Sequence, residues 1–86
     1  MRFTTSAFRH GLDESAIEEI LRAPIYSAIL RGDPLKVVVV GVISTSSPPV
    51  EAVYVQADDG ERVVIHAMRA SRALINQARR ARRRSE

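Results

Sequence analysis

A chain of 86 residues, 45% of them hydrophobic, has room for one core. A domain of this size buries roughly 60–65% of its unfolded surface. The absence of cysteine excludes disulfides and thiolate zinc sites and fits a reducing, cytoplasmic setting. The longest apolar run, Val37 to Ile43, is far too short to cross a bilayer, and no N-terminal run resembles a signal peptide. The net charge of +3 is unevenly spread: residues 1–68 hold six basic and nine acidic side chains, whereas residues 69–86 hold seven arginines and one glutamate. Such asymmetry is the footprint of an anionic partner, although a basic terminus also serves simply as a solubilising end.

In chain order, residues 4–11 are expected to form a short helix, with Thr5 or Ser6 as cap and Gly11 ending it in a left-handed conformation. A second helix follows. Asp13 suits its N-cap, Glu14 puts negative charge in the first turn, and Leu12 with Ile17 forms a hydrophobic staple. Ala16, Ile17, Ile20 and Leu21 make its apolar stripe, and Pro24 stops it near Ala23.

Ile25 to Arg31 reads as a strand, and Gly32-Asp33-Pro34 as a turn. Lys36 to Ile43 is a β-branched run expected to be a central strand buried on both faces, with Gly41 marking a bulge or a close backbone approach. Ser44 to Pro49 is a polar loop, and Val50 to Gln56 a third strand. Asp58-Asp59-Gly60 signals a hairpin, with Asp59-Gly60 suited to a two-residue turn. In the fourth strand, Glu61 to Met68, alternation places Val63, Ile65 and Ala67 on one face and Val64, His66 and Met68 on the other. A last helix, about Arg72 to Arg83, has Ser71 as N-cap and Leu74, Ile75, Ala78 and Ala81 as its apolar side. The expected architecture is α+β: two N-terminal helices, a four-stranded antiparallel meander and a basic C-terminal helix, with the helices on one face of the sheet. Residues 1–86 read as one domain with a basic tail at about 79–86.

Three places carry candidate chemistry. In Arg9-His10-Gly11 a histidine sits in a loop where it can exchange a proton, or where it only packs and satisfies a helix carbonyl. In His66 to Arg72, Arg69 and Arg72 flank a helix N-terminus whose free N–H groups suit a phosphate; the competing reading leaves both arginines solvated and packs His66 beside Val64 and Met68. In the Arg79-Arg80-Ala81-Arg82-Arg83-Arg84 run, polyanion affinity needs no sequence choice, and no interleaved aromatic provides a stacking platform. Glu51 can be read as a general base or, more simply, as a solvated strand residue. The two histidines and the scattered carboxylates lack metal-ligand spacing, so neither a metal nor another cofactor is expected.

The Arg9-His10-Gly11 opening before an acidic helix, the Ala23-Pro24-Ile25 helix end and the Val64-Ile65-His66-Ala67-Met68-Arg69-Ala70-Ser71 ending resemble BrnT-type toxins of the RelE/ParE superfamily, over nearly the whole chain. The resemblance implies a RelE/ParE-like fold and a small cytoplasmic endoribonuclease that blocks translation. It implies as partners a cognate antitoxin, RNA as substrate, and operator DNA bound only through the antitoxin, with no membrane. Arg9 and His10 match the family's basic-His pair, and Arg69 the second arginine of its strand-end pair. Met68 replaces the other arginine, and His66 stands where a small residue is common.

The residues thus pose two functions. The first is metal-independent RNA cleavage, with His10 or His66 transferring protons, Arg69 and Arg72 on the phosphate, and Arg9, Arg79 and Arg80 holding RNA. The second is a non-catalytic module whose arginine-rich helix binds an acidic protein segment or nucleic acid. An exposed edge strand would also permit a homo-oligomer.

Overall fold

A computed structural model describes residues 1–85, with side chains as far as Arg83; the Arg84 side chain and Glu86 lie outside the described residues. Among the described residues five strands are present: β1 (Arg2–Phe3), β2 (Tyr26–Gly32), β3 (Leu35–Gly41), β4 (Val50–Gln56) and β5 (Arg62–Arg69). The same residues form two α-helices, α1 (Glu14–Arg22) and α2 (Arg72–Ser85), with a short 3₁₀ helix at Thr5–Phe8. The sheet order is β1-β5-β4-β3-β2. β1 runs parallel to β5 and the other neighbours are antiparallel, so the sheet is mixed.

This corrects the expected four-stranded antiparallel meander behind two N-terminal helices. Where the sequence predicts a helix over residues 4–11, the chain forms only one 3₁₀ turn, Thr5–Phe8, directly after the β1 strand. A segment this short gains little from helical bonds of its own, and the open edge of β5 offers better partners. The Thr4 amide donates to the Val64 carbonyl at 3.0 Å. The Thr4 hydroxyl donates to the same carbonyl at 3.2 Å, and Ser6 Oγ donates to the Ile65 carbonyl at 2.7 Å. Phe3 and Phe8 stack at 5.6 Å over this turn, and Gly11 ends it with φ of 84°. The Met1 amino group pairs with Glu61, which fastens the chain start to the same region.

α1 forms as its local sequence dictates. Asp13 Oδ1 accepts from the Ala16 amide at 2.8 Å, and Ile17, Ile20 and Leu21 are buried. Complete burial of a side chain such as Ile17 or Ile20 contributes about 1.5–3 kcal/mol. Gly41 of β3 marks the close approach: a Cβ there would lie 2.9 Å from Ile20 Cβ. Val37, Val38, Val39 and Val40 are all buried, as a two-sided central strand requires.

Their alternation separates two cores. Val37 and Val39 join α1, Val50, Ala52, Val64 and Ala67 on one face. Val38 and Val40 join Val53, Ala70 and Leu74 of α2 on the other. The helices therefore cover opposite faces, not one, because each apolar strand face needs its own cover.

The β4–β5 hairpin also departs from expectation. Its loop is the three-residue Asp58-Asp59-Gly60: the Gly60 amide donates to the Ala57 carbonyl at 2.9 Å and Gly60 takes φ of 83°. Further along, Val53 pairs with His66 whereas Tyr54 pairs with Val64, leaving Ile65 as the extra residue of a β-bulge. The bulge breaks simple alternation. Val64 and Ala67 face the α1 core, whereas Ile65 packs on the α2 core. Among the described residues, no helix is long and apolar enough to cross a membrane.

Candidate functional site: paired imidazoles and an arginine cleft

The bulge decides where His66 goes. In a straight hairpin register continuing from Tyr54 opposite Val64, His66 would stand opposite Ala52, inside the α1 core. The extra residue places it opposite Val53 instead. There it shares a face with Glu51, two residues along β4 on the diagonal. His66 Nε2 lies 3.2 Å from Glu51 Oε2. The Glu51 side chain is only 13% exposed, and that of His66 32%.

The other Glu51 oxygen is also engaged. Oε1 accepts from the Ser71 backbone amide at 2.9 Å. Ser71 in turn caps α2, its Oγ accepting from the Leu74 amide at 3.2 Å. A carboxylate largely removed from water is costly unless both oxygens find donors, and here they do. The carboxylate also stands at the positive end of the helix dipole. It occupies ground the sequence alone assigns to a phosphate, so an external anion has to be held mainly by the arginines.

His10 completes the cluster from the other side of the β5 edge. The turn at Thr5–Phe8, tied to the Val64 and Ile65 carbonyls, carries the following loop over β5. The His10 and His66 rings meet edge-on, their centroids 5.9 Å apart and their planes at 75°. Two adjacent imidazoles, one of them on a carboxylate, form an arrangement able to accept and donate protons.

Arg69, Arg72 and Arg79 line one open cleft of about 590 Å³ with Ala70, Ile75 and Asn76. They project from the end of β5 and the first two turns of α2, and among the described residues no acidic side chain lines the cleft. Arg80 lies apart, against Tyr26, Gln77 and Ala81. Arg9 is exposed beside His10 but lines neither the arginine cleft nor the Arg80 groove. Of the residues singled out in the sequence, the structure thus joins His10 to His66, and Arg69 to Arg72 and Arg79. It leaves Arg9 and Arg80 outside both groups. Among the described residues no three histidine, cysteine or carboxylate side chains converge as metal ligands.

Glu51 is the residue that sequence reasoning passed over as a solvated strand position. The available signal is a charged residue inside the apolar run Val50-Glu51-Ala52-Val53, which a one-residue change of register sets beside His66. No protein-family model, curated protein or solved structure matches the chain.

Proposed function

We propose that the chain is a toxin-type endoribonuclease that cleaves RNA without a metal and is neutralised by a cognate antitoxin. The observation carrying the chemistry is the contact of His10 with a carboxylate-bound His66. In this reaction the ribose 2′-hydroxyl loses its proton to one imidazole and attacks the adjacent phosphorus. The bond to the 5′-oxygen breaks, and the second imidazole protonates that oxygen. The products are a 2′,3′-cyclic phosphate and a free 5′-hydroxyl. Arg69, Arg72 and Arg79 offset the charge developing on the phosphorane, while Arg9 and Arg80 guide the flanking RNA backbone.

The toxin role, the arrest of translation in the cytoplasm, the antitoxin and its operator DNA rest on the motif order that resembles BrnT-type toxins. The test is purified protein with RNA in excess chelator. Cleavage to cyclic-phosphate ends is expected, falling about 10²–10⁴-fold in His10→Ala, His66→Ala and Arg69→Ala while circular dichroism shows each variant folded. Full activity in all three discards the assignment.

A second reading has its own observation. Ile25, Val40, Ile75 and Ala78 floor a groove rimmed by Arg79 and Arg82, with no acidic residue in its lining among the described residues. An apolar floor with a guanidinium rim fits an acidic amphipathic protein segment better than nucleic acid, because it offers no aromatic for base stacking. Partner binding that weakens steeply with salt, without RNA turnover, selects this non-catalytic module.

A further inference from the structure

We propose that Glu51 is the positioning residue for His66, fixing its protons so that Nδ1 becomes the base that takes the 2′-hydroxyl proton. The inference rests on the ribonuclease reading for its chemistry but on geometry alone for the tautomer. An ionised carboxylate only accepts hydrogen bonds. Glu51 Oε2 lies 3.2 Å from His66 Nε2, so Nε2 carries the hydrogen and Nδ1 keeps the lone pair in the neutral ring.

Nδ1 is reachable. Among the described residues it has no hydrogen-bond partner in the protein, and no buried side-chain nitrogen or oxygen is left without one. An unpartnered Nδ1 therefore meets solvent, consistent with a ring 32% exposed.

Glu51 is itself held. The bond from the Ser71 amide to Oε1 ties it to the start of α2. One carboxylate thereby sets both the rotation of the His66 ring and its place relative to the helix that carries Arg72 and Arg79. After proton transfer the same carboxylate faces an imidazolium and stabilises it, a role separate from touching substrate. His10 is then the acid that protonates the leaving 5′-oxygen.

The experiment compares wild type with Glu51→Gln, which retains an acceptor for the Ser71 amide and so preserves the start of α2. Asp13→Ala, uncapping α1 on the opposite face, controls for lost stability. The ¹⁵N-histidine spectrum of wild type should show neutral His66 protonated at Nε2 alone. Glu51→Gln should shift it to the Nδ1-protonated tautomer, because with its carbonyl on the Ser71 amide the side-chain NH2 can only donate to Nε2. In RNA cleavage, kcat should fall about 10–100-fold, the loss typical of a removed outer partner, with KM unchanged because Glu51 does not contact the phosphate. Asp13→Ala should change neither the spectrum nor kcat. An unaltered tautomer in Glu51→Gln, or a loss confined to KM, overturns the proposal. Wild-type protein that cleaves no RNA removes the ribonuclease reading, and the catalytic role with it, while the spectra still decide whether Glu51 sets the His66 tautomer.

Discussion

The two faces of the sheet are built from alternate residues of the same strands, yet they differ in kind. On the α1 face, Ile17, Ile20, Val37, Val39, Ala52, Val64 and Ala67 make a core without a buried polar group. On the α2 face, Val38, Val40, Val53 and Leu74 make a smaller core. It is bordered by Glu51 and His66 and by the arginines of α2. The α1 face is closed by tight contact, as Gly41 against Ile20 records. The α2 face stays open enough to present titratable side chains. A strand shared by both can be rigid on one side and chemically equipped on the other, because neighbouring side chains never meet.

Substitutions on the dry face test this division most severely. Ile20→Ala should destabilise by about 2–5 kcal/mol, the usual cost of a large-to-small change in a packed interior. Urea unfolding measures it, and a loss well under 1 kcal/mol would show that α1 is not tightly seated. Gly41→Ala comes next, at about 1–3 kcal/mol from overpacking. Combining it with Ile20→Ala should cost less than the two losses added, because the second change removes Ile20 Cγ2, 3.2 Å from the new methyl, and leaves only Cβ at 2.9 Å and Cα at 3.2 Å to be accommodated. Strict additivity would break the proposed contact.

The caps give the smallest effects and sharpen the contrast. Asp13→Ala and Ser71→Ala should each cost about 1 kcal/mol. Only Ser71→Ala should also move the His66 resonances: it keeps the backbone amide that donates to Glu51 but loosens the helix start that places that amide, and Glu51 holds His66. Equal spectral changes in both variants would mean that the two faces are not independent.

Much of the scaffold is legible in the residues because it is governed locally. The Asp13 cap, the Ile17, Ile20 and Leu21 stripe and the stop before Pro24 specify α1. The valine run specifies a strand buried on both sides, and Ser71 specifies the start of α2. Two errors have a common origin. The helix expected at residues 4–11 gives way to a 3₁₀ turn, because Thr4 and Ser6 bond to the carbonyls of a strand about 60 residues away. The face assigned to His66 through alternation with Val64 is wrong because Ile65 is an extra residue in the ladder. Similarly, nothing along the chain says that α1 and α2 take opposite faces.

By itself, then, the sequence determined which segments become α1, β3 and α2, where the two helices begin, and that the cationic charge gathers on the final helix. Capping, helical spacing and β-branching act within a few residues, so they can be read in order along the chain. Tertiary structure alone decided that β1 closes the β5 edge, that the helices lie on opposite faces, and that His66 meets both Glu51 and His10. Each of those outcomes depends on register between distant segments, where one additional residue reverses the side a side chain faces.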